Sequence, residues 1–482
     1  MKTNNFKEAC NKTIIIKKNI LINREILPTK SEQRIMSWSD IIWLWLGMAA
    51  QMGVFLLGAS LVGKLSFYES ILAILLGNFG ASIILILIGD IGIEHGINFP
   101  TYIRVPFGYF GSYIPMILRS IAGICWFGIQ TYFAATAIDL IIKHFFKFTN
   151  VPLWFFVFGV IQIIITAKGI KWIKFVENFA APLLLILCLY IIFIFISRSS
   201  FIYILSYPIK QKISFWSAVT INLSYWSTVS INIPDFSRFM KNYKGTKNFL
   251  RRNFHSVIGQ TIGAPLGMLI FAIVGIISHI VTGYGNPVEA IYSMLPTAFF
   301  IIIGLIIIIL AQLSTNIAAN LFAPGNILST IFSPKINFSK GIIIAGLFGL
   351  LTFPWILINF FLTYLPTVGA LLSPVAGIII SDYYLIRKRK LSIKHLFTTG
   401  EYLYFKGYNP AAIIAYLVAI IFGLKYLKYS WLISLPVSLI LYYILMKYII
   451  SKVYIQEEIK DKSDDKFLNT SINNEIDILI EN

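Results

Sequence analysis

The stretch Trp43–Val62, WLWLGMAAQMGVFLLGASLV, decides how the chain is read. It is apolar and, at about 20 residues, long enough to cross a bilayer as one helix. Its middle works against that helix. Gly47, Ala49, Ala50 and Gly53 stand where leucine would serve better, and Gln51 puts an amide at a depth where amides are costly. Each glycine costs a helix about 1 kcal/mol against alanine. Two readings follow. Either the helix is broken at mid-membrane, with freed carbonyls facing a cavity, or it stays whole and its small residues allow close packing.

The composition around that stretch sets the class. Of 482 residues, 57% are hydrophobic and 13% charged, and the mean hydropathy is +0.78. A water-soluble fold cannot hide so much apolar surface, so a multi-pass protein of the cell membrane is expected. Met1–Ser37 is polar and Lys-rich, and the first apolar run has span length, not signal-peptide length. Cys10, Cys125 and Cys188 are scattered, so neither a disulfide nor a metal cluster is expected. The net charge of +19 gathers in particular loops, as membrane topology requires, and does not point to nucleic acid. His95, His144, His255, His279 and His395 are also scattered. That argues against a membrane enzyme, which needs clustered acids and bases.

Twelve spans are read, at 41–63, 69–93, 112–141, 151–168, 174–197, 215–235, 255–282, 297–322, 341–363, 367–385, 411–428 and 430–450. Basic residues precede the first span (Lys17, Lys18, Arg24, Lys30, Arg34). They recur after the fourth (Lys168, Lys171, Lys174), the sixth (Arg238, Lys241, Lys244, Lys247, Arg251, Arg252) and the tenth (Arg387, Lys388, Arg389, Lys390). The positive-inside rule then places both termini in the cytoplasm. The polar tail from Lys452 reads as a disordered end.

The sixth span contains SAVTINLSYWSTVSINIPDF, Ser217–Phe236, dense in Ser, Thr and Asn and closed by Pro234-Asp235. Interrupted spans at corresponding positions of two halves point to the central site of a transporter. Pairing spans one and six favours the broken reading of Trp43–Val62. It implies an all-α membrane protein built from two five-helix repeats of opposite topology plus two peripheral helices. The divisions are 1–37 (N-terminal segment), 38–197 (first repeat), 198–390 (second repeat), 391–451 (spans eleven and twelve) and 452–482 (tail).

Polar and aromatic groups at depth suggest what is carried. Trp126 and Gln130 are four apart and share a helix face. Tyr225-Trp226 lies at similar depth on the sixth span. Two indoles facing across a gap suit a flat ring; the plain alternative is core packing. In the eighth span, AQLSTNIAAN (Ala311–Asn320) follows a run of isoleucines. Ser314 and Thr315, joined by carbonyls of the first span, make a hard-oxygen set fit for a small cation; the alternative is bonding back to their own helix. Asn320, Gln51 and Gln130 are placed to bond an amide edge. Spans one and eight hold no charged residue, which suits a neutral substrate. Proton coupling usually recruits a buried carboxylate or histidine, and Glu177, Asp235 and Asp139 all lie near span ends. Na+ is therefore favoured over H+, and no cofactor is expected.

Several motifs then resemble the nucleobase–cation symporter 1 family, its sodium–hydantoin branch and its allantoin and uracil permeases. They are Asn23–Pro28; Gly96-Ile97-Asn98-Phe99 with Pro106-Phe107-Gly108; Trp126-Phe127-Gly128-Ile129-Gln130-Thr131; Phe148–Trp154; Ser314-Thr315-Asn316 through Ala319-Asn320; and Ala376–Tyr383. The resemblance implies the LeuT-type inverted-repeat fold and Na+-driven uptake of a flat nitrogen heterocycle by a monomer. By position, Trp126 and Trp226 would sandwich the ring, and Gln130 and Asn320 would bond its amide edge, with Gln51 nearby. The carbonyls of Gly47, Ala50 and Ala311 and the hydroxyls of Ser314 and Thr315 would hold Na+. Tyr225 stands where hydantoin members carry glycine, and Asn232–Arg238 looks more like the uracil and allantoin members. The alternatives kept are an H+-coupled nucleobase permease, a cation-coupled amino-acid carrier of the same fold, and a passive channel.

Overall fold

The computed structural model describes residues 26–168, 182–194, 201–242, 248–397 and 400–461. Glu177 and the first part of the fifth span lie outside them. Among the described residues the chain is helical, with isolated bridges at Met36–Met240 and Phe405–Tyr408 and no strand. Six helices are long and apolar enough to cross a bilayer, and the pair Trp38–Ala49 and Met52–Leu61, bent by 68° at its break, makes a seventh. Four shorter apolar helices stand among them: Val151–Ala167, Pro182–Ile194, Phe338–Leu350 and Pro410–Lys425.

The outside of these helices is oily and the inside carries the polar groups. On Phe67–His95, Leu72, Leu76, Phe79 and Ile83 form an exposed stripe at helical spacing. Asn78, Ser82 and Asp90 on the same helix are buried. That pattern suits a helix whose outer solvent is hydrocarbon.

Two groups of helices form around the break. Phe254–Thr282 packs against both halves of the broken helix and against Phe67–His95, which also holds Phe215–Tyr225. The approach is close because Gly58 and Gly275 each admit a neighbouring backbone. A Cβ at Gly58 would sit 2.0 Å from the Ala272 carbonyl oxygen, and one at Gly275 would sit 2.0 Å from that of Phe55. Small residues permit such contact where no hydrophobic force acts between helices. The second group joins Tyr113–Phe146 to Val151–Ala167, Ala298–Thr315, Phe322–Ile331 and Phe338–Leu350. Phe361–Ile380 packs with Pro410–Lys425 and Ser430–Leu445 beside them.

Two expected segments differ. The ninth span was expected to run to 363, but its helix stops at Leu350. Phe353, at φ 48°, precedes Pro354, which opens the short helix Pro354–Asn359, since proline neither donates to the preceding turn nor allows helical geometry before it. The tail was expected to be disordered from Lys452, but it docks as far as Asp461. Gln456 and Glu458 are each 1% exposed. Arg387, fully buried beyond Phe361–Ile380, donates to Asp382 at 2.8 Å, to the Tyr404 hydroxyl at 2.9 Å, to Gln456 at 2.7 Å and to Glu458. The hydroxyl of Tyr442 adds a bond to Asp382 at 2.6 Å. A buried guanidinium needs such partners, and the tail supplies two of them.

This clasp is built to respond to pH. Glu401 accepts from the Glu457 backbone N–H at 2.7 Å, and His395 Nδ1 lies 3.9 Å from its carboxylate. Burial, reinforced by the Glu458 and Glu457 carboxylates, outweighs that N–H and lifts Glu401 to about 7. A carboxyl with a raised folded-state pKa holds best where it is protonated and loses that contribution as pH rises through the folded value. The Gln456–Asp461 segment is therefore expected to loosen between about pH 4.5 and 7. Amide exchange of that segment at pH 5.5 and 8 checks this, with faster exchange at pH 8 beyond the intrinsic rate change.

Candidate functional site

The site is assembled by the breaks. Trp38–Ala49 ends where Ala50 takes φ −73°, ψ 64°. Gln51 is fully extended, and its side-chain oxygen accepts from Gly53 N–H at 3.2 Å, capping the second half. The costly amide thus satisfies one of the donors a new helix leaves open. Its Nε2 donates to the Tyr225 hydroxyl. Tyr225 closes the half-helix Phe215–Tyr225, and Trp226, at φ −91°, ψ 8°, is the hinge before Ser227–Asn232. One hydrogen bond therefore ties the break in the first span to the break in the sixth.

Gln51, Trp126, Gln130, Tyr225, Trp226 and Asn320 all line one small cavity, closed by Met48, Thr228, Val229, Thr315 and Ala319. It encloses about 20 Å³, room for roughly one water. The indoles do not face each other across an open gap. The Tyr225 ring lies edge-on to both, 5.0 Å from Trp126 and 5.2 Å from Trp226 between centroids. Trp226 also meets Trp45 at 4.8 Å and donates its N–H to Asn78 Oδ1 at 2.7 Å. Gln130 Oε1 is buried with no hydrogen-bond partner among the described residues. Asn320 Nδ2 donates to Asn316 Oδ1 at 3.0 Å.

A larger cavity, about 440 Å³, lies beside the first. Asp40, Trp43, Gly47, Met48, Pro182, Ser314, Thr315 and Ala318 are among its walls. Met48 and Thr315 line both cavities. Thr315 gives its hydroxyl proton to the Ala311 carbonyl at 2.6 Å, which leaves its lone pairs as acceptors. Ala311 and Ala50 are each 1% exposed, and neither is among the residues that line the two cavities. Gly47, Ser314 and Thr315 thus share one chamber, with no acid or base among the five expected cation ligands.

Sequence reasoning missed several supports. The eighth helix relaxes into a π-helical turn at Asn316–Leu321, a feature frequent at functional sites. Asn316 holds it, its Nδ2 reaching Gln162 Oε1 at 2.8 Å and the Phe127 carbonyl at 3.1 Å. Asn78, Gln162 and Gln260, lone amides in apolar helices, were the available signal; Gln260 receives the Trp45 N–H at 2.6 Å. Arg119 was also missed, a buried guanidinium two turns from Trp126. It donates to Asn232 Oδ1 at 3.0 Å and to the Ala319 carbonyl at 3.1 Å. Asn232 in turn donates to Asp235 at 3.1 Å, relaying between opposite charges. Asp139, near the end of the third helix, accepts from Asn150 N–H at 2.6 Å and the Thr149 hydroxyl at 2.7 Å.

A broken-helix junction holding an aromatic, amide-lined cavity has known counterparts. Residues 28–450 match the family model described as permease for cytosine/purines, uracil, thiamine, allantoin. The chain belongs to this permease family. It is 30% identical over 474 residues to the hydantoin permease of Microbacterium maritypicum, covering 94% of this chain and 95% of that one. It is 34% identical over 437 residues to a purine-uracil permease of Arabidopsis thaliana, covering 83% and 70%. Among solved structures it resembles Mhp1, a nucleobase-cation-symport-1 family transporter, in a closed conformation with bromovinylhydantoin bound. The TM-score is 0.83 at 30% identity, over 91% of this chain and 98% of that one. The relatives named here are permeases and transporters, not enzymes.

Proposed function

We propose that the protein is a secondary symporter that imports a neutral, flat nitrogen heterocycle of the nucleobase, hydantoin or allantoin type together with Na+, by alternating access. The observation that carries this is the shared wall. Met48 and Thr315 line both the aromatic cavity and the larger chamber that Gly47 and Ser314 share, so a cation and a heterocycle would brace the same residues.

In this reading Trp126, Gln130, Tyr225, Trp226, Asn320 and Gln51 form the substrate site, and Gly47, Ala50, Ala311, Ser314 and Thr315 hold Na+. Twelve spans would be arranged as two inverted five-helix repeats plus two peripheral helices, with both termini cytoplasmic and the chain acting as a monomer. Ordering the cation first would brace the first span against the eighth before the helix groups rock. One Na+ moving down about 100 mV releases roughly 2.3 kcal/mol, and a tenfold gradient adds about 1.4 kcal/mol. Together these support roughly 500-fold accumulation.

The test is ligand binding to purified protein by intrinsic Trp fluorescence across uracil, cytosine, hydantoin and allantoin, in Na+ and in choline. At least one ligand is expected to bind about tenfold tighter in Na+. Equal binding in both salts, with uptake that follows a pH gradient, would move the coupling to H+. Ser314→Ala with Thr315→Ala removes two of the five oxygens. It is expected to raise the Na+ concentration for half-effect at least tenfold, while ligand affinity at saturating Na+ changes little.

A further inference from the structure

The aromatic cavity is small as it stands, about 20 Å³, and the Tyr225 ring packs against both of its indoles. The contacts are edge-on, at 5.0 and 5.2 Å. A planar ligand needs about 3.5 Å to each face it stacks on, so it cannot lie on both indoles while that ring is present. The packing is tight on the neighbouring side too. A Cβ at Gly53 would fall 2.8 Å from Gln51 Oε1, 2.9 Å from the Tyr225 hydroxyl and 3.0 Å from Trp126.

Rocking of the helix groups does not remove this obstacle. Tyr225 is anchored to Gln51, and both belong to the group formed by the first, second, sixth and seventh spans. Trp226 is fixed in that same group, to Asn78 and against Trp45. Trp126 belongs to the other group, on Tyr113–Phe146. Motion between the groups therefore separates Trp126 from Tyr225, while Tyr225 stays against Trp226.

We propose that Tyr225 is the size filter of this transporter: the ligand stacks between Trp126 and Tyr225, Trp226 serves as the backing of that wall, and only single-ring heterocycles are admitted. The proposal rests on the heterocycle reading above and narrows it. Two-ring bases and aryl-substituted hydantoins need the depth that the phenol ring occupies.

The experiment titrates purified protein with uracil, hydantoin and allantoin, and with hypoxanthine, xanthine and benzylhydantoin, in Na+. Wild type is expected to prefer the single-ring set at least tenfold. Y225G is expected to gain at least tenfold for the larger set and to lose affinity for the smaller one. Y225F, which keeps the ring and loses only the bond to Gln51, is expected to keep the wild-type preference. W226F is expected to reduce ligand-induced fluorescence quenching in the Y225G background. Wild type that binds both sets alike overturns the filter, whatever the variants do. So does Y225G that binds the small set and gains nothing for the large one. Wild type that answers no heterocycle at all overturns the substrate reading itself, and the filter with it.

Discussion

Trp126→Ala is expected to abolish ligand binding, by at least a hundredfold in affinity, and to lower thermal stability as well. The indole is 4% exposed and is the aromatic wall of the cavity that belongs to the second helix group. It meets Tyr225 at 5.0 Å, Phe361 at 6.0 Å and Tyr364 at 6.1 Å. Removing a buried Trp side chain costs roughly 3–5 kcal/mol through lost contacts and the space left behind. The ligand also loses a stacking partner, about 0.5–1.5 kcal/mol beyond burial, and the shape that orients it toward Gln130. Trp126→Phe separates the two effects. It keeps an aromatic face and is expected to lose less than about tenfold in binding. Titration of both variants with single-ring ligands, alongside thermal denaturation, checks this. If ligand binding survives Trp126→Ala intact, the indole has no stacking role.

A loss of stability of similar size is expected from Arg252→Met. Arg252 donates to Asp90 at 2.6, 2.7 and 3.0 Å and meets Glu94 at 2.9 Å. Asp90 is fully buried. Its other donors are Asn253 Nδ2 at 2.9 Å and the Tyr384 hydroxyl at 3.1 Å, both neutral. Breaking a buried ion pair from one side strands the remaining charge and costs about 3–5 kcal/mol. The pair joins the second helix to the short helix Phe249–Arg252 that precedes the seventh, and Tyr384 links it to the end of the tenth. Adding Asp90→Asn to Arg252→Met removes the stranded charge and is expected to recover most of the loss. Thermal denaturation of the two variants in detergent decides. Equal melting of wild type and Arg252→Met would show that the pair contributes nothing.

What the sequence revealed and what it concealed divide along local and distant causes. The break at Ala50 and Gln51 was legible because it is written locally, in Gly47, Ala49, Ala50, Gln51 and Gly53. Capping was the reason for the glutamine, and a cap is a short-range device. The cavity residues were legible as outliers, large or polar groups in otherwise aliphatic runs. Their mutual arrangement was not. That the Tyr225 ring packs against both indoles follows from the meeting of two half-helices 174 residues apart in sequence, joined by the Gln51–Tyr225 bond. The Asn316–Gln162 contact that steadies the π-helical turn spans 154 residues, and no spacing rule reaches that far. Arg119 has no local pattern that marks its role; only the fold shows Asn232 and the Ala319 carbonyl as its partners.

The clasp around Arg387 also constrains how the chain threads. Its guanidinium takes partners 69 and 71 residues later, at Gln456 and Glu458. Two points bonded to each other lie on one side of the bilayer, so the chain between them crosses an even number of times. Pro410–Lys425 and the helix from Leu427 to Val453 must then both traverse or neither do so. A mis-inserted eleventh helix would carry Glu458 to the opposite face and leave Arg387 with Asp382 as its one remaining carboxylate of the two.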